Sequence, residues 1–196
     1  VSDDGLQHYR LPRAAEIIML DGARGLGNGW RLPAGPLRES PARLQEADFI
    51  ICKAAGTGMR SMPTGTLGMQ LRMEEAVQLV NGVRMPMQAF SGKHVHAVAG
   101  IGHPEQFFTA LEAMGLMVDG RPLPDHAKFT EADLRFEGDE AVLMTEKDAV
   151  KCHAMHLPRH WYVSATAHFA DADANRILGY LRKRLGEHGV QPEAVR

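Results

Sequence analysis

Short apolar runs rich in Ile, Val and Leu alternate along the chain with stretches of helical periodicity. Five runs, 16–20, 49–53, 94–99, 141–144 and 161–164, predict strands, and their near-continuous apolar character points to strands covered on both faces. Three segments, 104–114, 146–151 and 172–185, predict helices. In the first, Phe107, Phe108, Leu111 and Met114 share one face, Pro104 sits in the first turn where its missing N–H is harmless, and Gly115 closes the element. The last carries Ile177, Leu178, Leu181 and Leu185 on its apolar side, with Arg182, Lys183 and Arg184 matched to the negative end of the helix dipole. This alternation predicts an α/β fold with a mainly parallel sheet and helices on both faces.

Two stretches break the pattern. Residues 22–43 hold Gly22, Gly25, Gly27, Gly29, Gly35, Pro33, Pro36 and Pro41, too many punctuators for a regular element. A loop of about 20 residues inside a compact domain is a functional candidate. The second break, 69–87, centres on Asn81-Gly82 between two apolar runs and predicts a two-stranded hairpin. The expected division is therefore 1–66 as one lobe, 67–89 as a hairpin linker and 90–196 as a second α/β lobe.

Composition narrows the function classes. The chain has 196 residues, 22 Lys+Arg against 24 Asp+Glu and a net charge of -2, which gives no reason to invoke a nucleic-acid partner. A hydrophobic share of 44% excludes global disorder. No apolar run approaches the ~20 residues of a bilayer span. Cys52 and Cys152 form no CxxC, so a reducing, cytosolic setting is expected. The start Val-Ser-Asp-Asp-Gly lacks an initiator Met and a signal peptide, which suggests a cut chain.

Several residues could carry chemistry. Asp3 and Asp4 before Gly5 are either a solvated turn or a carboxylate pair suited to Mg²⁺, which takes one or two carboxylates plus waters and phosphates. Arg38 ends the Gly-rich loop as a candidate phosphate clamp, because guanidinium presents a planar fork of donors; Glu39 beside it could reach a metal. Gly100-Ile101-Gly102 joins a strand to a helix, as an anion cradle or as a point of close packing. His126 follows Pro124-Asp125 in a loop and could accept a hydroxyl proton. His153, His156 and His160 lie near Cys152, but Pro158 interrupts any helix that would align them; His94 and His96 lack a third ligand, and neither group is assigned a metal. No G-x-x-x-x-G-K-[ST] occurs, so the chain carries no P-loop.

Five motifs stand in order: Asp3-Asp4-Gly5-Leu6-Gln7-His8; Gly27-Asn28-Gly29 with Leu32-Pro33-Ala34-Gly35-Pro36-Leu37-Arg38-Glu39; Ala99-Gly100-Ile101-Gly102 and Pro104 with Phe107-Phe108; Pro124-Asp125-His126; and Met144-Thr145-Glu146-Lys147-Asp148-Ala149-Val150-Lys151. This series resembles the tetraacyldisaccharide 4'-kinase family of Gram-negative bacteria. The resemblance implies a P-loop NTPase-like architecture with its N-terminal part missing, and two lobes joined near the hairpin. It implies transfer of the γ-phosphoryl of ATP, with Mg²⁺, to the 4'-hydroxyl of a tetraacylated disaccharide 1-phosphate at the cytoplasmic face of the inner membrane. By the same resemblance Asp3, Asp4 and Glu39 hold the metal, with Asp4 also catalytic, and Arg38, Gln7 and His8 face substrate or phosphate. His126 activates the sugar hydroxyl, and Ala127 stands where many relatives carry a second His or a larger residue. The implied partners are the lipid disaccharide, the inner-membrane surface and the P-loop portion of the same enzyme, in a monomer. The chain alone is then expected to be soluble, to bind ATP weakly and to lack turnover. A non-catalytic Rossmann-like nucleotide- or anion-binding module is the alternative.

Overall fold

A computed structural model describes residues 1–22, 24–53, 63–125, 127–152, 155 and 157–187. The chain forms two compact units, 1–71 with 167–196, and 72–166.

In the first unit, β1 (Ile17–Asp21) and β2 (Phe49–Lys53) pair in parallel, with Ile17 opposite Phe49 and Asp21 opposite Lys53. The start of β3 (Leu67–Gln78) continues the parallel pairing, Ile51 opposite Leu67. The predicted strand at 49–53 is reproduced, and the one at 16–20 is shifted by one residue. Helix α3 (Asp171–Glu187) sets Ile177 on Phe49, Ile51, Leu67 and Met69, with Tyr180 and Leu181 beside it. That i, i+3, i+4 face leaves Leu178 one step round the helix and 49% exposed, so the expected apolar face is corrected at that residue. The Tyr180 ring meets Phe49 edge-on at 5.2 Å, and its hydroxyl donates to the Asp48 carboxylate.

In the second unit, β4 (Arg84–Pro86) pairs antiparallel with the end of β3. The Asn81-Gly82 turn closes this hairpin as predicted: Gln78 N–H donates to Val83 O at 2.8 Å and Val83 N–H to Asn81 Oδ1 at 3.0 Å. The remaining strands are β5 (His94–Ala99), β6 (Met117–Pro122), β7 (Ala141–Thr145) and β8 (His160–His168), in the order β3-β8-β7-β5-β6. Pairings among β5, β6, β7 and β8 are parallel. Both faces of this sheet are covered. Helix α1 (Pro104–Ala113) buries Phe107, Phe108 and Leu111 against Val95, Ala97 and Ala99. Val98, Val142 and Met144 face the other way, onto Phe129, Leu134, Phe136 and Cys152. α2 (Glu146–Ala149) passes into a 3-10 turn at Val150–Cys152, so the predicted helix over 146–151 is a short α-helix with a tightened end. The mainly parallel α/β architecture expected from the sequence is the one observed.

Two strands are absent from the sequence-based expectation. β6 contains Asp119, Gly120 and Pro122, which read as loop residues, and it tolerates them because it is the last strand of the order. The first part of β3 is masked in the sequence by Arg72, Glu74 and Glu75, all on a strand whose buried positions are few.

Candidate functional site

In the first unit the N-terminal segment is organised by Arg13. Its guanidinium donates to the carbonyls of Gly5 at 2.5 Å, Leu6 at 3.2 Å and His8 at 3.0 Å, and also binds Glu16. Arg43 reaches the same Glu16 carboxylate at 2.7 Å. All three side chains are largely shielded from water, and two cations around one carboxylate suit such a place.

This clamp presents Asp3 and Asp4 at the surface. Asp4 adopts φ 49°, the left-handed region in which Asp is enriched, and its N–H donates to Asp3 Oδ1 at 3.0 Å. Arg38 Nη1 lies 3.0 Å from both carboxylate oxygens of Asp4. Glu39, the next residue, accepts a hydrogen bond from the Tyr9 hydroxyl, and that bond holds the Tyr9 phenol above its usual pKa. The two sequence motifs, thirty-four residues apart at Asp4 and Arg38, are thus brought together. Gln7 and His8 line an open depression of about 630 Å³ with Tyr9, Arg10 and Leu11, within the size range of small-ligand sites.

Among the described residues no three His, Cys, Asp or Glu side chains converge as a metal cage. The donor set still suits Mg²⁺: Asp3 and Asp4 offer hard oxygens on adjacent residues, and this ion needs only one or two protein carboxylates. Asp4 would exchange Arg38 for the metal.

In the second unit the strand order sets a topological switch point. β5 connects through α1 to β6 on one side, and β7 connects through α2 to β8 on the other, so the crevice beyond their carboxyl ends is where open α/β sheets bind ligands. Gly100 and Thr145 stand at those two ends. Thr145 caps α2, its Oγ1 accepting the Asp148 N–H at 3.2 Å and donating to Asp148 Oδ2 at 2.7 Å. Asp148, fully buried, also accepts the Gly100 N–H at 3.0 Å and pairs with Lys151 at 2.8 Å. A Cβ at Gly100 would lie 2.7 Å from the Phe129 ring, so this position is one of close packing, and its amide is already taken. A cavity of about 390 Å³ lined by Ala127, Lys128, Phe129 and Lys151 adjoins it. Asp125 lies 3.5 Å from Lys147 Nζ. His126, His153 and His156 fall outside the described residues. His160 is buried and gives Nε2 to Leu134 O at 2.9 Å, with its pKa lowered by burial.

Tyr9, Arg13, Glu16 and Arg43 escape sequence reasoning, because their roles rest on tertiary contacts. Asp148 had a usable signal in Thr145-x-x-Asp148, the spacing of a reciprocal N-terminal cap.

The sheet defines the class: an α/β protein built on a mainly parallel sheet. Residues 1–183 match the family model described as tetraacyldisaccharide-1-P 4'-kinase. A tetraacyldisaccharide 4'-kinase of Methylobacillus flagellatus is 45% identical over 190 residues, covering 94% of this chain and 54% of the relative. Another from Aromatoleum aromaticum is 47% identical over 181 residues, covering 91% and 54%. The crystal structure of LpxK from Aquifex aeolicus in complex with ATP shares the fold, with a TM-score of 0.69 and 23% identity over 92% of this chain and 56% of that one. The chain belongs to the tetraacyldisaccharide-1-phosphate 4'-kinase family. It spans about half the length of the curated relatives it matches.

Proposed function

We propose that this chain supplies the metal-side and acceptor-side residues of an ATP-dependent kinase. The enzyme phosphorylates the 4'-hydroxyl of a tetraacyldisaccharide 1-phosphate in lipid A biosynthesis, at the cytoplasmic face of the inner membrane. The observation that carries this reading is the contact of Arg38 with Asp4, which joins the acidic motif to the Arg-Glu motif on one surface.

Phosphoryl transfer asks for positioning and charge neutralisation more than for covalent chemistry. In this reading Asp3, Asp4 and Glu39 hold Mg²⁺, and the ion supplies charge neutralisation on the phosphate oxygens when bound. Arg38 turns its fork from Asp4 to a phosphate oxygen of similar geometry. Gln7 and His8, in the depression, face the acceptor. His126 takes the proton of the attacking hydroxyl. The P-loop, which no segment of this chain matches, belongs to the part of the family's length that the chain does not span.

The test is transfer from γ-labelled ATP to tetraacyldisaccharide 1-phosphate by the full-length gene product. His126→Asn is expected to lower kcat by roughly 10²–10⁴-fold with little change in acceptor affinity. An unchanged kcat removes His126 from the reaction, and no transfer by the unaltered protein removes the reading.

A further inference from the structure

The loop after β1 is ordered by its own hydrogen bonds yet turns Trp30 and Leu32 outward. Leu32 N–H donates to Leu37 O at 2.9 Å, Leu37 N–H to Trp30 O at 3.2 Å, and Gly35 N–H to Arg31 O at 3.1 Å. Asn28 ties both sides, taking the Trp30 N–H at 3.1 Å and donating to Ala34 O at 3.0 Å. The two arms approach so closely that a Cβ at Gly35 would stand 2.3 Å from Trp30 O. On this fixed knuckle Trp30 is 66% and Leu32 64% exposed, with the exposed Arg31 between them. A flexible loop could fold such side chains inward; this one holds them out.

Charge supplies the second half of the argument. Residues 22–38 contain Arg24, Arg31 and Arg38 and no acidic residue, in a chain whose net charge is -2; Arg38 is paired with Asp4, and Arg31 is the cation displayed beside the two apolar side chains. An indole and an aliphatic side chain displayed together, with the exposed Arg31 between them, match the interface of a bilayer: the indole prefers the headgroup level, the leucine the acyl boundary, and the guanidinium the anionic headgroups.

We propose that the Trp30-Arg31-Leu32 knuckle is a membrane-docking element that inserts into an anionic phospholipid surface. The choice of a lipid surface rests on the kinase reading, but binding is measured without ATP or acceptor, so the two can fail separately.

The chain is mixed with vesicles of phosphatidylcholine containing roughly one-third phosphatidylglycerol, and binding is read by flotation. Of its two tryptophans only Trp30 is exposed, Trp161 being 9% exposed in the core, so a blue shift of emission and quenching by brominated acyl chains report the knuckle. Replacing Trp30→Ala and Leu32→Ala together is expected to lower the vesicle partition coefficient by about tenfold or more. Arg31→Glu is expected to weaken binding to the anionic vesicles and leave pure phosphatidylcholine unaffected. Unchanged Trp161 emission and far-ultraviolet circular dichroism establish that each variant folds. Failure of the unaltered chain to float, or equal flotation of the double variant, overturns the proposal. So does shielding of Trp30 from iodide without vesicles, in the full-length gene product or in a self-associated form, since a protein surface then covers the loop.

Discussion

The carboxylate of Asp148 accepts the backbone N–H of Gly100 across forty-eight residues of sequence, at 3.0 Å and out of reach of water. One side chain therefore fixes the ends of β5 and β7 against each other, while Lys151 at 2.8 Å balances its charge. Removing the carboxylate strands a cation and leaves a buried N–H without an acceptor. Asp148→Ala is expected to lower stability by about 3–5 kcal/mol, read as a shifted urea midpoint. A loss below about 1 kcal/mol would mean that water replaces the carboxylate freely.

Gly100 has no room for a methyl group, because the Phe129 ring lies 2.7 Å from where its Cβ would stand. Gly100→Ala is expected to cost about 1–3 kcal/mol through overpacking. Phe129→Leu placed in the same chain should recover part of that loss. Strictly additive effects in the double-mutant cycle would show that the clash is relieved elsewhere.

Burial, then the nearby Asp148 carboxylate, pushes the Cys152 thiol up to about 11. The unfolded chain ionises this thiol first, from its ordinary value of 9.0. Its contribution to stability is thus complete below pH about 9 and is lost as the pH rises towards about 11. The unfolding free energy of the native protein should fall through this window by more than that of Cys152→Ala. At pH about 8 a thiol reagent should find Cys152 unreactive until denaturant is added; rapid native labelling would contradict this assignment.

Arg13 binds three carbonyls and a carboxylate, a set that the single ammonium of lysine does not reproduce. Arg13→Lys is expected to cost about 1–3 kcal/mol and to speed amide exchange at residues 5–11. Wild-type exchange in that segment would show that other contacts hold it.

Arg38 and Asp4 are both well exposed, at 60% and 75%, so their pairing adds little to stability. Arg38→Ala should move the urea midpoint by less than about 0.5 kcal/mol equivalent. Its effect should fall on turnover in the full-length gene product, with kcat/KM reduced about tenfold or more and Arg38→Lys only partly restoring it. Full activity in Arg38→Ala would remove this residue from the proposed phosphate contact.

The sequence made the regular elements legible wherever burial was two-sided. Strands at 49–53 and 94–99 follow the apolar runs to the residue, and α1 ends one residue before the predicted 114. β6 was hidden because an outermost strand can hold Gly120 and Pro122, which local reasoning assigns to a turn. At the site, residue types were readable but their pairings were not. Arg38 and Asp4 are both visible as charged residues beside turns, yet only the folded loops set the guanidinium between those two oxygens. Tyr9 and Arg13 gave no signal, since nothing in their immediate neighbours distinguishes them from ordinary surface residues.

The clamp at Arg13 grips Gly5, Leu6 and His8 by their carbonyls, a group that every amino acid possesses. The clamp itself therefore makes no demand on the side chains at positions 6 and 8. Gln7 and His8 can be exchanged for other residues, changing the lining of the depression, while the path that presents Asp3 and Asp4 stays the same. Lining and scaffold are thus separable within four consecutive residues, which gives selection, or an engineer, a place to reshape the depression without rebuilding the loop.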